Sequence, residues 1–306
     1  MEPTEFGFVG APLHLLRALV VAGVLASTMA GCAKPVSQKD LAAGPVATRD
    51  QVLTATTSRI AQTPLDQKMP NRIFSSGALA GRTLQVATST DIILRPGEVV
   101  LTFDDGPRAG KTPAILDTLD RFGVKATFLM LGSAAKANPR LAQQVARRGH
   151  SVGSHTYDHV DLSALSRQDA LAEIARGEAA VAEALNGAGE SMSPFFRFPY
   201  LSQTGYLRTS LLQGDMVVLD VDIDSKDYYR DTAETVSART LARLDARGSG
   251  IILFHDIHQR TVDMLPAFLE ELQARGYSVV RLAPSGNGIF GRSVITAAVP
   301  GAGEAL

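Results

Sequence analysis

The pattern of apolar and polar positions changes near residue 97, where apolar runs of strand length begin to alternate with helix-like stretches. One such stretch carries an apolar stripe of Ile115, Leu116 and Leu119 and ends at Gly123. Seven runs are typical of strands: residues 99–103, 125–131, 150–153, 195–198, 216–221, 251–254 and 277–282. Alternation of strands and helices predicts a parallel sheet with helices outside it. No glycine-rich phosphate-binding loop follows any of these runs, so a barrel is favoured over a nucleotide-binding sheet.

Helix starts are predicted at capping residues or at a proline in the first turn. The predicted starts are Thr112, Asn138, Ser166, Thr232 and Thr261. Within this pattern the barrel is predicted to span residues 91–284, and residues 285–306 to form a peripheral tail.

The N-terminal third has a different composition. Residues 1–31 predict a lipoprotein-type signal peptide, because a short apolar stretch leads into Met29-Ala30-Gly31 and then Cys32. An ordinary cleaved signal with a chance cysteine is the alternative. Residues 32–90 are rich in Ala, Thr, Ser, Gln and Pro, and predict a tether and lead-in segment.

The bulk composition excludes some classes of protein. The chain has 306 residues and a formal net charge of -1, and no basic stripe indicates a nucleic-acid partner. Its single cysteine excludes an internal disulfide.

Polar residues follow five of the predicted strands, at the point where each strand ends. In parallel barrels these carboxyl ends gather on one face, where the chemistry of such folds takes place. The residues are Asp104 and Asp105, His155 and His159, Arg197, Asp224 and Asp227, and His255 and Asp256. Apart from His14, every histidine lies at or near one of the predicted strand ends.

The spacing of His155 and His159 allows both imidazoles to share one face of a helical turn and to bind one metal ion. Asp105 or Asp104 from another strand end would complete a set of two histidines and one aspartate, with positions left open for water and substrate. Two solvent-exposed imidazoles on a surface helix would have the same spacing. The agreement of five strand ends favours the site.

These residues stand in five motifs that resemble, in order, those of the NodB-homology polysaccharide deacetylases, carbohydrate esterase family 4. The motifs are Thr102-Phe103-Asp104-Asp105-Gly106, Ser154-His155-x-x-x-His159, Arg197-x-Pro199-Tyr200, Asp224-x-x-Asp227 and Leu253-x-His255. The resemblance covers about residues 94–282 and implies an α/β fold, a distorted seven-stranded β/α barrel.

The resemblance also implies the roles of individual residues. A divalent metal, zinc or alternatively cobalt or nickel, would be bound by Asp105, His155 and His159. Asp104 would act as general base and His255 as general acid. The supporting roles would be divided as follows: Arg197 orients Asp104, Asp227 tunes His255, the backbone N–H of Tyr200 stabilises the oxyanion, and Leu253 and Tyr228 line the substrate pocket.

Two residues depart from the family pattern. Tyr228 stands where the family usually has tryptophan, and Leu201 where it commonly has glycine. Both positions belong to the wall of the expected pocket, so they bear on the substrate more than on the reaction.

The resemblance implies a metal-dependent hydrolase that removes acetyl groups from N-acetylated sugars of a polysaccharide, either peptidoglycan or a chitin-like glycan. We expect an exported lipoprotein of the bacterial cell envelope, anchored to the membrane through Cys32, and such an enzyme meets peptidoglycan first. One alternative is an O-acetyl esterase that acts on xylan or an exopolysaccharide. Another is a catalytically silent glycan-binding protein of the envelope, which would be expected to have lost Asp104 or His255.

Overall fold

The computed structural model describes residues 78–285, in which nine strands and seven α-helices alternate. The strands are β1 (Ala80–Val86), β2 (Glu98–Asp104), β3 (Thr127–Met130), β4 (Ser151–Ser154), β5 (Phe195–Phe196), β6 (Val217–Val218), β7 (Ile223–Asp224), β8 (Gly250–His255) and β9 (Ser278–Pro284). The helices are α1 (Thr112–Arg121), α2 (Gly132–Ala137), α3 (Pro139–Arg147), α4 (Arg167–Asn186), α5 (Gly205–Gln213), α6 (Ala233–Arg247) and α7 (Gln259–Ala274). The predicted signal peptide, Cys32, most of the lead-in segment and the tail after Ser285 lie outside the described residues.

All strand pairings in this range are parallel. The sheet runs in the order β1-β9-β2-β3-β4-β5-β6, while β8 pairs with β2 and β7 pairs with β8. Strand β2 therefore stands at the centre, and β6 and β7 are not paired with each other among the described strands. The result is a nearly closed barrel with helices around it, which confirms the predicted distorted β/α barrel.

Strand β2 is buried at all seven of its positions, as its unbroken apolar run predicts. Phe103 of β2 stacks on Phe128 of β3 at 5.0 Å and on Phe254 of β8 at 5.8 Å between ring centroids. These aromatic rings join the central strands to the layer of helices, because the same hydrophobic cluster includes Leu116 of α1 and Phe268 of α7. The rigid centre of the fold thus lies directly below the strand ends of β2 and β8.

The structure differs from the sequence-based prediction in several elements. Strand β1 lies in the segment predicted as lead-in, and it pairs with β9 as part of the sheet. The two-residue strand β7 and the helices α2 and α5 were not predicted. Two residues per strand are too few to establish a periodicity, and β1 has a mixed, half-exposed pattern because it lies at the sheet edge.

Two predicted helix starts are wrong by one or two residues. Helix α1 takes Lys111 as its N-cap, because the Thr112 hydroxyl is used elsewhere: it binds the backbone N–H of Arg108 and the carboxyl of Asp256. Helix α7 begins at Gln259, two residues before the predicted Thr261.

None of the helices between residues 78 and 285 combines the length and the hydropathy that a bilayer crossing requires.

Candidate active site

A cavity of about 460 Å³ opens at the carboxyl ends of the strands. Its walls contain residues from all five sequence motifs, as the positions of the strand ends predict: Asp104, Asp105, His155, His159, Arg197, Tyr200, Asp224, Tyr228, Leu253 and His255. Asp227 lies directly behind this wall and binds His255. The structure therefore brings every predicted site residue within 78–285 to one place.

The register of the central strands aligns the predicted base with the predicted acid. Asp104 is the last residue of β2 and His255 the last of β8, and the two are paired in register. Both strands are buried along their whole length and mostly apolar, so the polar side chains of Asp104 and His255 lie at the edge of a buried layer.

Three possible metal ligands converge at this edge. The Nε2 atoms of His155 and His159 each lie 3.6 Å from Oδ1 of Asp105, and this buried oxygen has no hydrogen-bond partner among the described residues. The Nδ1 atom of His155 lies 2.8 Å from the backbone carbonyl oxygen of Arg197. A carbonyl only accepts, so Nδ1 carries the proton and Nε2 presents a bare lone pair.

The ionisation of His155 suits a metal site as well. Burial lowers the pKa of His155 to about 3, which keeps its imidazole neutral. Two imidazoles and one carboxylate, with the remaining directions open to the cavity, are the donor set of many catalytic divalent-metal sites. Asp105, His155 and His159 therefore fit the metal that the sequence predicts.

The two histidines do not share a helical turn, so that part of the prediction is wrong. They lie in an irregular loop in which Thr156 and His159 have left-handed backbone with φ of 69° and 58°. This loop packs closely on helix α4: a Cβ placed on Gly177 would lie 2.4 Å from the carbonyl carbon of Thr156. The loop, rather than a helix, brings the two Nε2 atoms to Asp105.

Asp104 is fully buried and held from one side. Its Oδ1 accepts a hydrogen bond of 2.8 Å from Nη1 of Arg197, and Arg197 also donates to the backbone carbonyl oxygen of Leu219 at 3.0 Å. Its Oδ2 lies 3.8 Å from Nε2 of His155, on the side of the metal ligands. Burial raises the pKa of the Asp104 carboxyl, while the charge of Arg197 acts in the opposite direction.

His255 lines the same cavity at the end of the neighbouring strand and is bound to a second carboxylate. Its Nδ1 lies 2.6 Å from Oδ1 of Asp227, whose Oδ2 accepts from the backbone N–H of His255 and from the hydroxyl of Thr261, each at 2.7 Å. Burial alone would lower the pKa of His255, but the hydrogen bond and charge of Asp227 outweigh it and raise the pKa to about 9.

The walls around these polar groups are partly aromatic. The exposed ring of Tyr200 lies 4.5 Å from the His159 ring, and the Tyr228 ring lies 5.6 Å from His255. The Tyr228 hydroxyl donates to Oδ2 of Asp224 at 3.0 Å. Leu201 and Tyr228, the two departures from the family pattern, both line the cavity.

Sequence reasoning missed the roles of two neighbours of His255. His258 lines the cavity, with its ring 5.7 Å from that of His255, and its position three residues after His255 was the available signal. Asp256 is fully buried against Gly106: a Cβ on that glycine would lie 2.1 Å from the Asp256 carboxylate. No local pattern could have indicated this contact, because it joins segments about 150 residues apart.

His150 does not belong to the site, although the sequence placed it near a strand end. It lies at the amino end of β4, buried, where Nδ1 accepts a hydrogen bond from the backbone N–H of Ala126 at 3.1 Å. Burial lowers the pKa of His150 to about 3.

A second group of possible ligands is formed by Asp227, His255 and His258. In that group both oxygens of Asp227 and Nδ1 of His255 already have hydrogen-bond partners.

The chain is similar to a known family of proteins. Residues 93–219 match the family model described as polysaccharide deacetylase. The chain is 33% identical over 218 residues to a chitin deacetylase from Colletotrichum lindemuthianum, a match that covers 67% of this chain and 86% of that protein. It is 34% identical over 184 residues to the peptidoglycan-N-acetylglucosamine deacetylase PgdA of Listeria monocytogenes, covering 60% of this chain and 38% of that one. The chain belongs to the polysaccharide deacetylase family.

Solved structures agree with this assignment. The peptidoglycan deacetylase Bd3279 of Bdellovibrio bacteriovorus matches with a TM-score of 0.62 and 35% identity, over 69% of this chain and 60% of that one. A family 4 carbohydrate esterase from Streptomyces lividans matches with a TM-score of 0.53 and 30% identity, over 60% of this chain and 91% of that one. The chain spans 38% of the length of the Listeria relative.

Proposed function

We propose that this protein is a metal-dependent N-deacetylase that hydrolyses the acetamido group of N-acetylated sugars in a polysaccharide, either peptidoglycan or a chitin-like glycan. One observation carries the proposal. Asp104, beside the Asp105–His155–His159 set, and His255, which is bound to Asp227, line one cavity. Amide hydrolysis needs a base for water on one side of the carbonyl and an acid for the leaving nitrogen on the other.

The residues divide the reaction between them. Oδ2 of Asp104, left free by the Arg197 bond to Oδ1, accepts a proton from the attacking water, whose oxygen bonds to the acetyl carbonyl carbon. Nε2 of His255 then donates its proton to the sugar nitrogen as the carbon–nitrogen bond breaks. The products are acetic acid and a free amino sugar, and the proton gained by Asp104 replaces, through solvent, the one that His255 gave up, so atoms and charges balance.

A divalent metal ion bound by Asp105, His155 and His159 would polarise the carbonyl and lower the pKa of the water. We assign zinc to this site because imidazole and carboxylate ligands with open positions suit it, with cobalt and nickel as alternatives. The backbone N–H of Tyr200, at the same edge of the cavity, would donate to the oxyanion, and Leu253 would contact the acetyl methyl group.

The experiment that tests this function measures acetate released from peptidoglycan, chitooligosaccharides and acetylated xylan, with and without chelator. We expect chelator-sensitive release from the N-acetylated glycans. Release from acetylated xylan alone would favour the O-acetyl esterase instead. Binding of the same glycans without release from any of them would indicate a silent glycan-binding protein.

We further propose that the protein is exported and anchored to a membrane of the bacterial cell envelope through a lipid on Cys32. The support is the apolar stretch that ends in Met29-Ala30-Gly31 before the only cysteine. Cys32→Ala should move the protein from the membrane fraction to the soluble fraction, because stable anchoring requires acyl chains. Wild-type protein found in the soluble fraction would contradict the anchor but leave the hydrolase activity untouched.

A further inference from the structure

Three loops at the carboxyl ends of the strands, the edge at which the cavity opens, carry cationic side chains. The loop after β2, the loop after β7 and the junction of β8 with α7 each contribute basic residues, and we call this set the basic rim: Arg108, Lys111, Lys226, Arg230 and Arg260. The loops after β4 and β5 contribute Tyr200 and Leu201 to the cavity wall, and the exposed Asp158 of the loop after β4 is paired with Arg176.

Contacts between the loops make the basic rim one continuous surface beside the predicted acid. Lys111 Nζ donates to the Gln259 side chain, which joins the loop after β2 to the start of α7. Nη1 of Arg260 donates to the backbone carbonyl oxygen of Asp227 at 3.0 Å, which joins α7 to the loop after β7. His258 and Tyr228 of these same loops line the cavity, so the rim begins where the cavity wall ends.

The charges of the basic rim are not neutralised within the described residues. None of its members lies in an ion pair there, whereas Arg148, Arg208 and Arg275 elsewhere on the surface each bind a carboxylate. The nearby acids are engaged otherwise: Asp231 pairs with Arg239, and Asp263 accepts a hydrogen bond from Gln259. Arg108 and Arg230 are exposed, and their side chains make no hydrogen bond in this part of the chain.

We propose that the basic rim binds carboxylate groups carried by the glycan next to the sugar that is deacetylated. Guanidinium groups match carboxylates in shape and charge, and a cluster at a cleft mouth raises the local concentration of an acidic polymer. A neutral chitin-type chain offers no such group. The inference rests on the proposed function and selects, among N-acetylated glycans, those with acidic substituents. The carboxylate could belong to a lactyl ether on a neighbouring sugar or to an attached peptide.

The test compares three soluble oligosaccharides of equal length. One is a neutral chitooligosaccharide, the second alternates N-acetylglucosamine with N-acetylmuramic acid without peptide, and the third carries the peptide as well. The enzyme is wild type, the double variant Arg108→Gln with Arg230→Gln, or the control Arg147→Gln. Arg147 is exposed and in no ion pair of the described residues, but it lies at the end of α3 remote from the strand ends.

We expect the double variant to lose about tenfold in kcat/KM on the acidic glycans, because two exposed charge pairs are removed and each contributes a few-fold to binding. Activity on the neutral glycan should stay at the wild-type level, and Arg147→Gln should change neither. A loss confined to the third glycan would assign the rim to peptide carboxylates, and a loss on both acidic glycans to the lactyl group. Equal effects on neutral and acidic glycans would overturn the proposal.

A binding measurement separates this inference from the proposed function. The same three glycans are titrated by calorimetry into wild type and the double variant, so that the rim is tested even if no acetate is released. Tighter binding of acidic glycans that disappears in the double variant supports the rim. Affinity that is unchanged in the double variant contradicts it, whatever the activity.

Discussion

Asp104 and Asp105 are neighbours in the chain but have very different surroundings. Asp104 ends a buried strand and is bound by Arg197, whereas Asp105 has left-handed backbone with φ of 76° and directs a bare oxygen at two imidazoles. A non-glycine residue in that region is uncommon and costs free energy. The strain at Asp105 therefore has a clear consequence: it separates two adjacent carboxylates so that one can bind metal while the other remains free.

The assignment of separate base and acid roles makes a prediction at this scale. Asp104→Asn should keep the metal but lose activity by roughly 10²–10⁴-fold on sugar amides and on aryl acetates alike, because both reactions need an activated water. His255→Ala should lose less on aryl acetates, whose leaving group needs no proton. The ratio of aryl ester to sugar amide activity, measured with metal content, checks this. An unchanged ratio in His255→Ala would contradict separate roles.

The pair of His255 and Asp227 predicts how the rate depends on pH. Asp227 raises the pKa of His255 to about 9. On the alkaline side, wild-type activity should therefore fall as the pH rises through that value. Asp227→Asn removes the raising charge, so His255 should lose its proton at lower pH, and the alkaline fall of kcat/KM should move in the same direction. Asp231→Asn, in the same loop but paired with Arg239, is the matched control. An alkaline limb that does not move in Asp227→Asn would remove Asp227 from this role.

At the scale of elements, helix α4 shows a local preference overruled by packing. Gly177 lies inside this 20-residue helix, where alanine would ordinarily be better by about 1 kcal/mol. A Cβ there would lie 2.4–2.8 Å from backbone atoms of Thr156, between the two histidine ligands in sequence. The glycine thus allows the loop that carries His155 and His159 to rest on the helix.

Gly177→Ala should therefore destabilise the protein, by about 1–3 kcal/mol as for other overpacked sites, and weaken metal binding. Denaturant unfolding and metal titration measure the two effects. Gly205→Ala is the control: it lies in the first turn of α5, and a Cβ there meets no atom within 4 Å. If Gly177→Ala were as stable as wild type and bound metal equally, the close packing would have no energetic role.

The next residue of α4 makes a prediction about stability and pH. Glu178 is buried, its Oε1 has no hydrogen-bond partner within residues 78–285, and burial raises the pKa of its carboxyl to about 7. A raised pKa means that the folded state binds the proton more tightly than the unfolded state does. The stabilisation that the protonated Glu178 contributes is therefore complete below about pH 4.3, the ordinary glutamate pKa. It is lost as the pH rises through about 7. Glu178→Gln should therefore raise the melting temperature at pH 8 but not at pH 4. A gain of equal size at both pH values would contradict this account.

The elements that sequence patterns could predict are those with long, uniform environments. Strands β2 and β8 are continuous apolar runs, and the polar residues after them indicated the site correctly. Two-residue strands such as β7 carry no such signal, and the packing of Asp256 on Gly106 depends on tertiary contacts. The i, i+4 spacing indicated His155 and His159 correctly, but the helical turn expected to bring them together is absent from this loop. Their convergence depends instead on left-handed backbone at Thr156 and His159.

At the scale of the whole molecule, the candidate metal site joins distant parts of the chain. Asp105 follows the central strand β2, which pairs with β3, β8 and β9, while His155 and His159 follow β4. A ligand that binds only the folded arrangement stabilises it by mass action. The metal should therefore contribute to the stability of the barrel as well as to its chemistry.

Removal of the metal by a chelator should lower the melting temperature by about 5–10 °C, since a ligand at a hundred times its Kd contributes about 2.7 kcal/mol and a domain of this size shifts by about 2–4 °C per kcal/mol. His155→Ala should melt at one temperature with or without chelator, because it has already lost the site. His258→Ala should keep the full chelator effect, since His258 belongs to the other group of possible ligands, with Asp227 and His255. If instead His258→Ala abolished the effect and His155→Ala retained it, the metal would be bound at Asp227, His255 and His258, and His255 could not serve as the acid.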